Sequence, residues 1–115
     1  MTVCEKLCDI LKPMNLPIAE GVYKGPAKEY FTFNIFSEHT VLFADDESIE
    51  EVSELYLHYF TKDSMHGNKT KIKKLLRNND VNVIDIETLR EKDTGYTHVI
   101  FQLQLINDTN ERNEK

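Results

Sequence analysis

The chain has 115 residues, of which 40% are hydrophobic, and this is enough for one domain with one modest core. Its net charge of −6 argues against a broad electrostatic grip on nucleic acid or on an anionic membrane. No run approaches the roughly 20 apolar residues of a membrane span, and Glu5, Lys6 and Asp9 interrupt the stretch in which a signal peptide would be apolar. We therefore expect a cytosolic protein.

The first predicted element is a short amphipathic helix that runs to about Lys12. Thr2 and Glu5 have the spacing of a capping box, and the apolar residues that follow lie on one face at helical spacing. Pro13 ends this helix. Residues 13–26 contain three prolines and two glycines, which predicts an irregular connector that lies over the core.

Two short strands are predicted in the aromatic region that follows. Residues 30–36 alternate between two sets of side chains with a period of two, and residues 40–44 repeat the β-rich composition after a polar turn with the sequence SEHT. We expect these two strands to pair antiparallel. Three carboxylates, Asp45, Asp46 and Glu47, follow the second strand directly.

The next segment, residues 48–60, fits two secondary structures. Ser48 and Glu51 have the spacing of a capping box, and the apolar residues behind them keep helical spacing. Residues 55–62, with the sequence LYLHYFTK, instead have the composition and the alternation of a strand. The pattern alone leaves both alternatives open.

The residue pattern in the last third of the chain predicts a helix and a hairpin. Residues 69–78 have helical spacing, with Asn68 as the expected cap. Residues 81–89 and 97–106 alternate as strands on either side of an EKDTG turn. Residues 107–115 contain no apolar side chain, so we expect a flexible tail after a single domain that covers residues 1–106.

Several side chains are candidate metal ligands, because carboxylates suit Mg²⁺ or Ca²⁺ and imidazoles suit zinc or iron. They are Asp45, Asp46 and Glu47 together with His39, or with His58 and His98. Adjacent carboxylates on a strand point to opposite faces, and no two histidines have the helical spacing that would place them together. Cys4 and Cys8 are expected to be reduced, partly buried thiols, since a metal site would need more ligands nearby. We therefore predict no metal and no cofactor.

The catalytic patterns in the sequence are incomplete. A nuclease-like site would need a lysine two residues beyond an acidic pair, but Leu89 follows Asp85 and Glu87 at that position. Ser37 lies close to His39 in the sequence, and this alone is weak evidence for an activated hydroxyl. We predict that the chain is not an enzyme, and a small metal-dependent hydrolase is the less favoured alternative.

A basic segment with the sequence KTKIKKLLR is the strongest charged feature. Its cations are Lys69, Lys71, Lys73, Lys74 and Arg77, and they surround three apolar residues of the predicted helix. The segment is interpreted as a solvated helix face or as an electrostatic contact with an acidic partner or with phosphates.

The order of these motifs resembles that of the tail terminator, or tail-completion, proteins of long-tailed bacteriophages. The resemblance covers about residues 13–106 and includes, in chain order, VYKG, EYFTFN, LFADDE, LYLHYFTK, KIKKLL, VIDIE and EKDTGYTHVIFQLQL. Its most specific parts are the ADDE after an aromatic strand, the FTK that ends the next strand, and the DTGYTH turn. The helical spacing in residues 48–60 departs from this resemblance, which implies a strand at LYLHYFTK.

The resemblance implies a single α+β domain, in which a mostly antiparallel or mixed sheet of four or five strands packs with two helices. It implies a structural protein of the virion, assembled in the bacterial host cytoplasm, that caps the tail tube at its head-proximal end as a ring of typically six copies. The implied partners are other copies of the chain, the tail tube protein and the head–tail connector protein, and DNA passes through the ring without specific binding. Another phage morphogenesis protein, for head–tail joining or related to the tail tube, is the alternative within this class.

The expected contact residues in such a ring are of two kinds. Charged contacts are expected from the acidic loop and the basic helix, namely Asp45, Asp46, Glu47, Lys69, Lys71, Lys73 and Lys74. Aromatic contacts are expected from Tyr30, Phe36, Tyr56 and Phe60, because a small chain with this many aromatic residues can bury some of them against a neighbour.

Overall fold

The computed structural model of the protein describes residues 2–43, 48–62 and 66–108. Its elements are, in chain order, α1 (Val3–Leu11), a 3₁₀ turn (Lys12–Met14), β1 (Ile18–Glu20), β2 (Tyr30–Phe43), β3 (Ser48–Thr61), α2 (His66–Asn78), β4 (Asn82–Arg90) and β5 (Thr97–Asp108). The five strands form one sheet in the order β1-β2-β3-β5-β4. The β1–β2 pair is parallel and the other pairs are antiparallel. The predicted α+β class, with a mixed sheet and two helices, is confirmed.

Helix α1 begins with the predicted capping box. The backbone N–H of Glu5 donates to the Thr2 hydroxyl, and the backbone N–H of Thr2 donates to the Glu5 carboxylate at 2.8 Å. These two bonds satisfy backbone donors that a helix N-terminus otherwise leaves without a partner. Both cysteines on this helix are free thiols, and Cys4 is half-buried whereas Cys8 is exposed, so the expected burial of Cys8 was wrong.

The connector contains a strand that the sequence analysis missed. Strand β1 pairs in parallel with the start of β2, with Ile18 opposite Phe31. Gly21, with a φ of +80°, ends this pairing, and its backbone N–H donates to the Phe33 carbonyl. A three-residue strand gives too short an alternation to be recognised against its surrounding prolines.

The predicted SEHT turn is wrong, because β2 continues through it. The register passes from the Ile35–Leu55 pair to the Ser37–Glu54 pair, so that Phe36 is an extra residue in a β-bulge. The pairing then continues as far as Phe43 and Ser48. The polar residues of this stretch therefore belong to one long strand, and not to a connection between two.

The two alternatives for residues 48–60 are resolved in favour of the strand. Strand β3 lies at the centre of the sheet and pairs along its length with both β2 and β5. Pairing on both sides outweighs the local helical spacing of its first half. Helix α2 also starts earlier than predicted, at His66, so that Asn68 lies within its first turn and is not the cap.

The final hairpin has the predicted arrangement. Strands β4 and β5 pair antiparallel, and Gly95 has a φ of +77° in the turn between them. A second bulge, at Ile84, shifts the register between the Val83–Leu103 and Asp85–Gln102 pairs. Strand β5 continues to Asp108, so its backbone includes the first two residues of the predicted tail 107–115, and the other tail residues lie outside the described part of the chain.

Both described helices pack on the same face of the sheet. Their buried residues, which include Leu7, Leu11, Ile72 and Leu76, form one cluster with the strand residues that point towards them. The most buried strand residues of this cluster are Phe31, Leu55, Leu57, Tyr59, Val99, Phe101, Leu103 and Leu105. We call the other side of the sheet the open face. No helix in residues 2–43, 48–62 and 66–108 is long and apolar enough to cross a bilayer.

Candidate interaction surface

The open face is built by the alternation of the strands. Every second residue of β3 and β5 is buried against the helices, so the residues between them point to the other side. The same holds for β2 as far as its bulge and for β4 beyond its bulge. The side chains of the open face include Tyr30, Thr32, Asn34, Phe36, Tyr56, His58, Phe60, His98, Ile100, Gln102, Asp85, Glu87 and Leu89.

Aromatic rings stack across the strands of this face. Tyr30 stacks on Phe60 with 4.9 Å between the ring centroids, and Phe60 stacks on His98 at 4.1 Å. At this end, Tyr23 from the connector and Tyr96 from the β4–β5 turn cover part of the stack. These rings are therefore half-buried within the chain itself.

A second stack lies closer to the uncovered end of the face. The bulge directs Phe36 onto the open face, where its ring stacks on Tyr56 with 4.6 Å between centroids. Phe36 remains 45% exposed. The four aromatic residues expected at an interface thus lie on one face as two pairs, Tyr30 with Phe60 and Phe36 with Tyr56.

Two histidines that are 40 residues apart in the sequence meet between these stacks. The Nδ1 of His58 lies 2.7 Å from the Nε2 of His98, and the Nε2 of His58 lies 3.1 Å from the Oδ1 of Asn34. Since Asn34 Oδ1 can only accept, His58 donates from Nε2, and its Nδ1 accepts from His98 when both rings are neutral. The remaining nitrogen of His98, Nδ1, then lies 3.8 Å from the Glu91 carboxylate.

This arrangement disfavours two charges on the pair. Burial, and then the neighbouring His98, lower the pKa of His58 below the usual histidine value. Burial also lowers the pKa of His98, although Glu91 acts in the opposite direction. A first proton can be accommodated at His98 Nδ1, beside Glu91, whereas a second would place two N–H groups against each other.

Of the candidate metal ligands, only His58 and His98 lie together among the described residues. No group of three or more metal-ligating side chains occurs within residues 2–43, 48–62 and 66–108. His39 lies on the exposed part of β2 beside Ser37, with 3.4 Å between Ser37 Oγ and His39 Nδ1. Asp45, Asp46 and Glu47 lie outside the described residues. The expectation that the chain has no metal, no cofactor and no catalytic activity stays a prediction.

A pocket of about 290 Å³ lies on the open face across β3, β5 and β4. It is lined by Tyr56, His58, Asp85, Glu87, Ile100 and Gln102. The acidic pair that resembled part of a nuclease site thus lines a pocket, and Leu89 continues the same row towards the end of β4.

A buried polar cluster on the other side of β3 was not foreseen. Tyr59 is fully buried, and its hydroxyl donates a hydrogen bond to Glu29. Asn68 donates to the same Glu29 oxygen at 2.9 Å and to the Tyr59 hydroxyl oxygen at 2.8 Å. Burial and the bond to Glu29 raise the pKa of Tyr59 to about 12. An inward-pointing tyrosine in an alternating strand was the available signal, because a buried hydroxyl needs a partner.

The cationic side chains of α2 differ in their exposure to solvent. Lys71, Lys74 and Arg77 are exposed, whereas Lys73 is half-buried and Lys69 donates from Nζ to the Thr88 hydroxyl at 3.1 Å. Because α2 packs on the helical side of the sheet, its exposed row lies on the opposite side of the molecule from the open face.

No protein-family model and no curated protein matches the sequence. Among solved structures, the chain is similar to a chain in the virion of a native gene transfer agent (GTA) particle, with a TM-score of 0.47 and 10% sequence identity. The match covers 86% of this chain and 84% of the other. At this level the similarity carries no argument about function.

Proposed function

We propose that this chain is a structural protein of a phage virion, and specifically a tail terminator that caps the tail tube as a ring and joins it to the head. The order of sequence motifs supports this assignment. The structural observation that carries it is the open face of the sheet, where stacked aromatic rings are left uncovered by either described helix.

The open face has the character of a protein interface. The hydrophobic core is complete without it, since both helices bury their apolar residues on the other side of the sheet. Aromatic residues are enriched in interface centres, where they supply much of the binding energy. Phe36 and Tyr56 form the part of the face that neither Tyr23 nor Tyr96 contacts, and we place the centre of the contact there.

A ring of identical subunits needs two different surfaces on each subunit, because its interfaces are heterologous. The open face supplies one surface, and the basic row of α2 on the opposite side supplies the other. Lys69, Lys71, Lys73 and Lys74 remain proposed contacts, as do Asp45, Asp46 and Glu47, although these three lie outside the described residues. Exposed ion pairs contribute only about 0–1 kcal/mol each, so aromatic contact must supply most of the association.

The proposed ring also defines the partners of the protein and its location in the virion. Its partners are the tail tube protein on one side and the head–tail connector protein on the other, at the head-proximal end of the tail. With a net charge of −6 on every subunit, DNA passes through the ring without being held. The chain has no catalytic role in this function.

The test is to assemble phage tails with and without this protein. Tails made without it are expected to have irregular lengths and to fail to join heads, and adding the purified protein should restore both properties. Electron microscopy with a labelled chain should place it at the head-proximal end. Tails of normal length that join heads without the protein would overturn the terminator function, and a label elsewhere in the neck or tube would identify a different morphogenesis protein.

A further inference from the structure

We propose that the pocket on the open face binds the guanidinium group of Arg77 from α2 of a second copy of the chain. This inference rests on the proposed self-association into a ring, and it specifies which side chains join the two surfaces.

The pocket has the chemistry of a cation site. Asp85 and Glu87 are two residues apart on β4, so both carboxylates point to the open face, opposite Gln102 and Ile100 of β5. Within the described part of the chain, neither carboxylate has an ion pair or a hydrogen bond. Tyr56 adds an aromatic ring to the wall, and cations bind favourably over such rings.

The size and the lining of the pocket together favour one kind of side chain. A volume of about 290 Å³ is too small for a helix but large enough for the end of a long side chain. A planar guanidinium can bind a carboxylate through two parallel N–H groups while its plane stacks on an aromatic ring, whereas an ammonium group is a point charge without a planar face. Arginine therefore fits this lining better than lysine.

The exposed row of α2 offers the matching group. Lys71, Lys74 and Arg77 follow one another at intervals of three residues, so they lie along one side of the helix with about 4.5 Å of rise between them. None of the three has a carboxylate partner among the described residues. With Arg77 in the pocket, Lys74 and Lys71 lie along its rim.

The Arg77 side chain that enters the pocket must come from another copy of the chain. Helix α2 and the pocket lie on opposite sides of the same sheet, so Arg77 cannot reach the pocket of its own chain. A contact from one side of a subunit to the other side of the next is heterologous, and it closes into a ring when successive subunits are rotated by equal steps.

The first test removes the two charges without changing the shape of the pocket. The double variant Asp85→Asn/Glu87→Gln is expected to weaken self-association by about ten-fold or more, measured by sedimentation and native mass spectrometry. The double variant Asp9→Asn/Asp93→Asn makes the same change in net charge at exposed sites on α1 and in the β4–β5 turn, and it should assemble as the unaltered chain does. Equal assembly of the unaltered chain and both double variants would show that the pocket carboxylates do not contribute to self-association.

The second test exchanges the charges. Arg77→Glu and Glu87→Arg should each weaken assembly when introduced alone, and a chain that carries both should recover it, because every interface then has a restored pair. Circular dichroism shows whether each variant is folded. In a Cys4→Ser/Cys8→Ser background, Arg77→Cys with Glu87→Cys should also form disulfides between subunits, whereas Arg77→Cys with Asp9→Cys should not. Folded variants without recovery and without this cross-link would overturn the proposed contact.

The outcomes separate this inference from the terminator function. A chain that stays monomeric at every concentration and on tails, while tails still require it, overturns the Arg77 contact and leaves the tail role in place. Assembly that depends on Arg77 and Glu87, combined with normal tails in the absence of the protein, supports the contact and overturns the tail role.

Discussion

At the scale of single residues, the best-defined polar feature is the cluster of Tyr59, Glu29 and Asn68. It joins the segment before β2, the end of β3 and the first turn of α2 through three hydrogen bonds. Glu29 and Asn68 are 39 residues apart in the sequence, and no local pattern connects them. Strand alternation in residues 55–62 was a signal for the inward position of Tyr59, but its partners depend on the packing of α2 against the sheet.

We predict that Tyr59→Phe destabilises the protein. The substitution removes the hydroxyl but leaves Glu29 and Asn68 partly buried with fewer partners, which costs about 1–3 kcal/mol. Urea unfolding followed by circular dichroism measures this change. Tyr96→Phe is the matched control, because the Tyr96 hydroxyl has no hydrogen bond to the described residues, and it should change stability by much less. Equal effects of the two substitutions would contradict the role of the cluster.

The pair of His58 and His98 makes stability depend on pH. Folding lowers the pKa of both rings, so on acidification the unfolded chain takes up protons before the folded chain does. Above the unfolded histidine pKa of about 6.5, the histidine pair therefore makes its full contribution to the free energy of unfolding. This contribution decreases as the pH falls through that value towards the lower folded pKa values.

Urea unfolding between pH 7.5 and pH 5.5 measures this dependence. His98→Gln retains a side-chain N–H for His58 Nδ1 but cannot titrate, so the decrease in stability over this range should become smaller. NMR titration of the ring protons should give midpoints for His58 and His98 below the ordinary value. A variant with the same pH dependence as the original chain would show that the pair is not responsible.

At the scale of elements, most helices and strands could be predicted, and the wrong turn within β2 has a clear cause. Capping chemistry and Pro13 defined α1, and alternation defined the hairpin of β4 and β5. The two β-bulges, at Phe36 and Ile84, interrupt the alternation that a period of two would give. An interrupted alternation looks like a turn when only one strand is examined, because the partner strand that continues through it is not visible in the local sequence.

Deleting Phe36 tests whether it is an extra residue of the strand. Without Phe36, Ile35 and Ser37 can pair with Leu55 and Glu54 as neighbours in a regular ladder. We therefore expect the deletion variant to fold, with a loss of no more than about 1–2 kcal/mol, comparable to the loss of one partly exposed aromatic contact.

Deleting Tyr56 from β3 is the contrasting variant. This part of β3 is paired regularly on both sides, so the deletion shifts one half of the strand by one residue and turns its core side chains to the open face. It should prevent folding under conditions in which the Phe36 deletion is folded, as measured by thermal unfolding. Similar unfolding temperatures for the two deletions would contradict the register described for β2.

At the scale of the whole molecule, the fold class followed from length, alternation and the resemblance, whereas the site did not. The pocket and the histidine pair require the register of β3 against β5, and a single sequence does not specify which residues of two alternating strands lie opposite each other. The basic helix was recognisable by composition, but its position on the far side of the sheet from the aromatic stacks came only from the packing of α2.

We predict that self-association depends more on aromatic side chains than on charged ones. Replacing both aromatic rings of the second stack, in Phe36→Ser/Tyr56→Ser, should abolish assembly at low and at high salt, because the apolar area at the centre of the contact is lost. Reversing the charges of Lys71, Lys73 and Lys74 should instead weaken assembly mainly at low salt. Phe36→Tyr/Tyr56→Phe keeps both rings and should assemble normally. Mass measurements at two salt concentrations distinguish these cases, and assembly of the double serine variant would place the contact elsewhere.

The position of β5 in the sheet has a consequence for synthesis on the ribosome. Strand β5 lies between β3 and β4, and it contributes Val99, Phe101, Leu103 and Leu105 to the core. Strand β4 is joined to the rest of the sheet through β5, so it has no place in the sheet until β5 arrives. The nascent chain therefore cannot complete its core before residues 97–105 have left the exit tunnel.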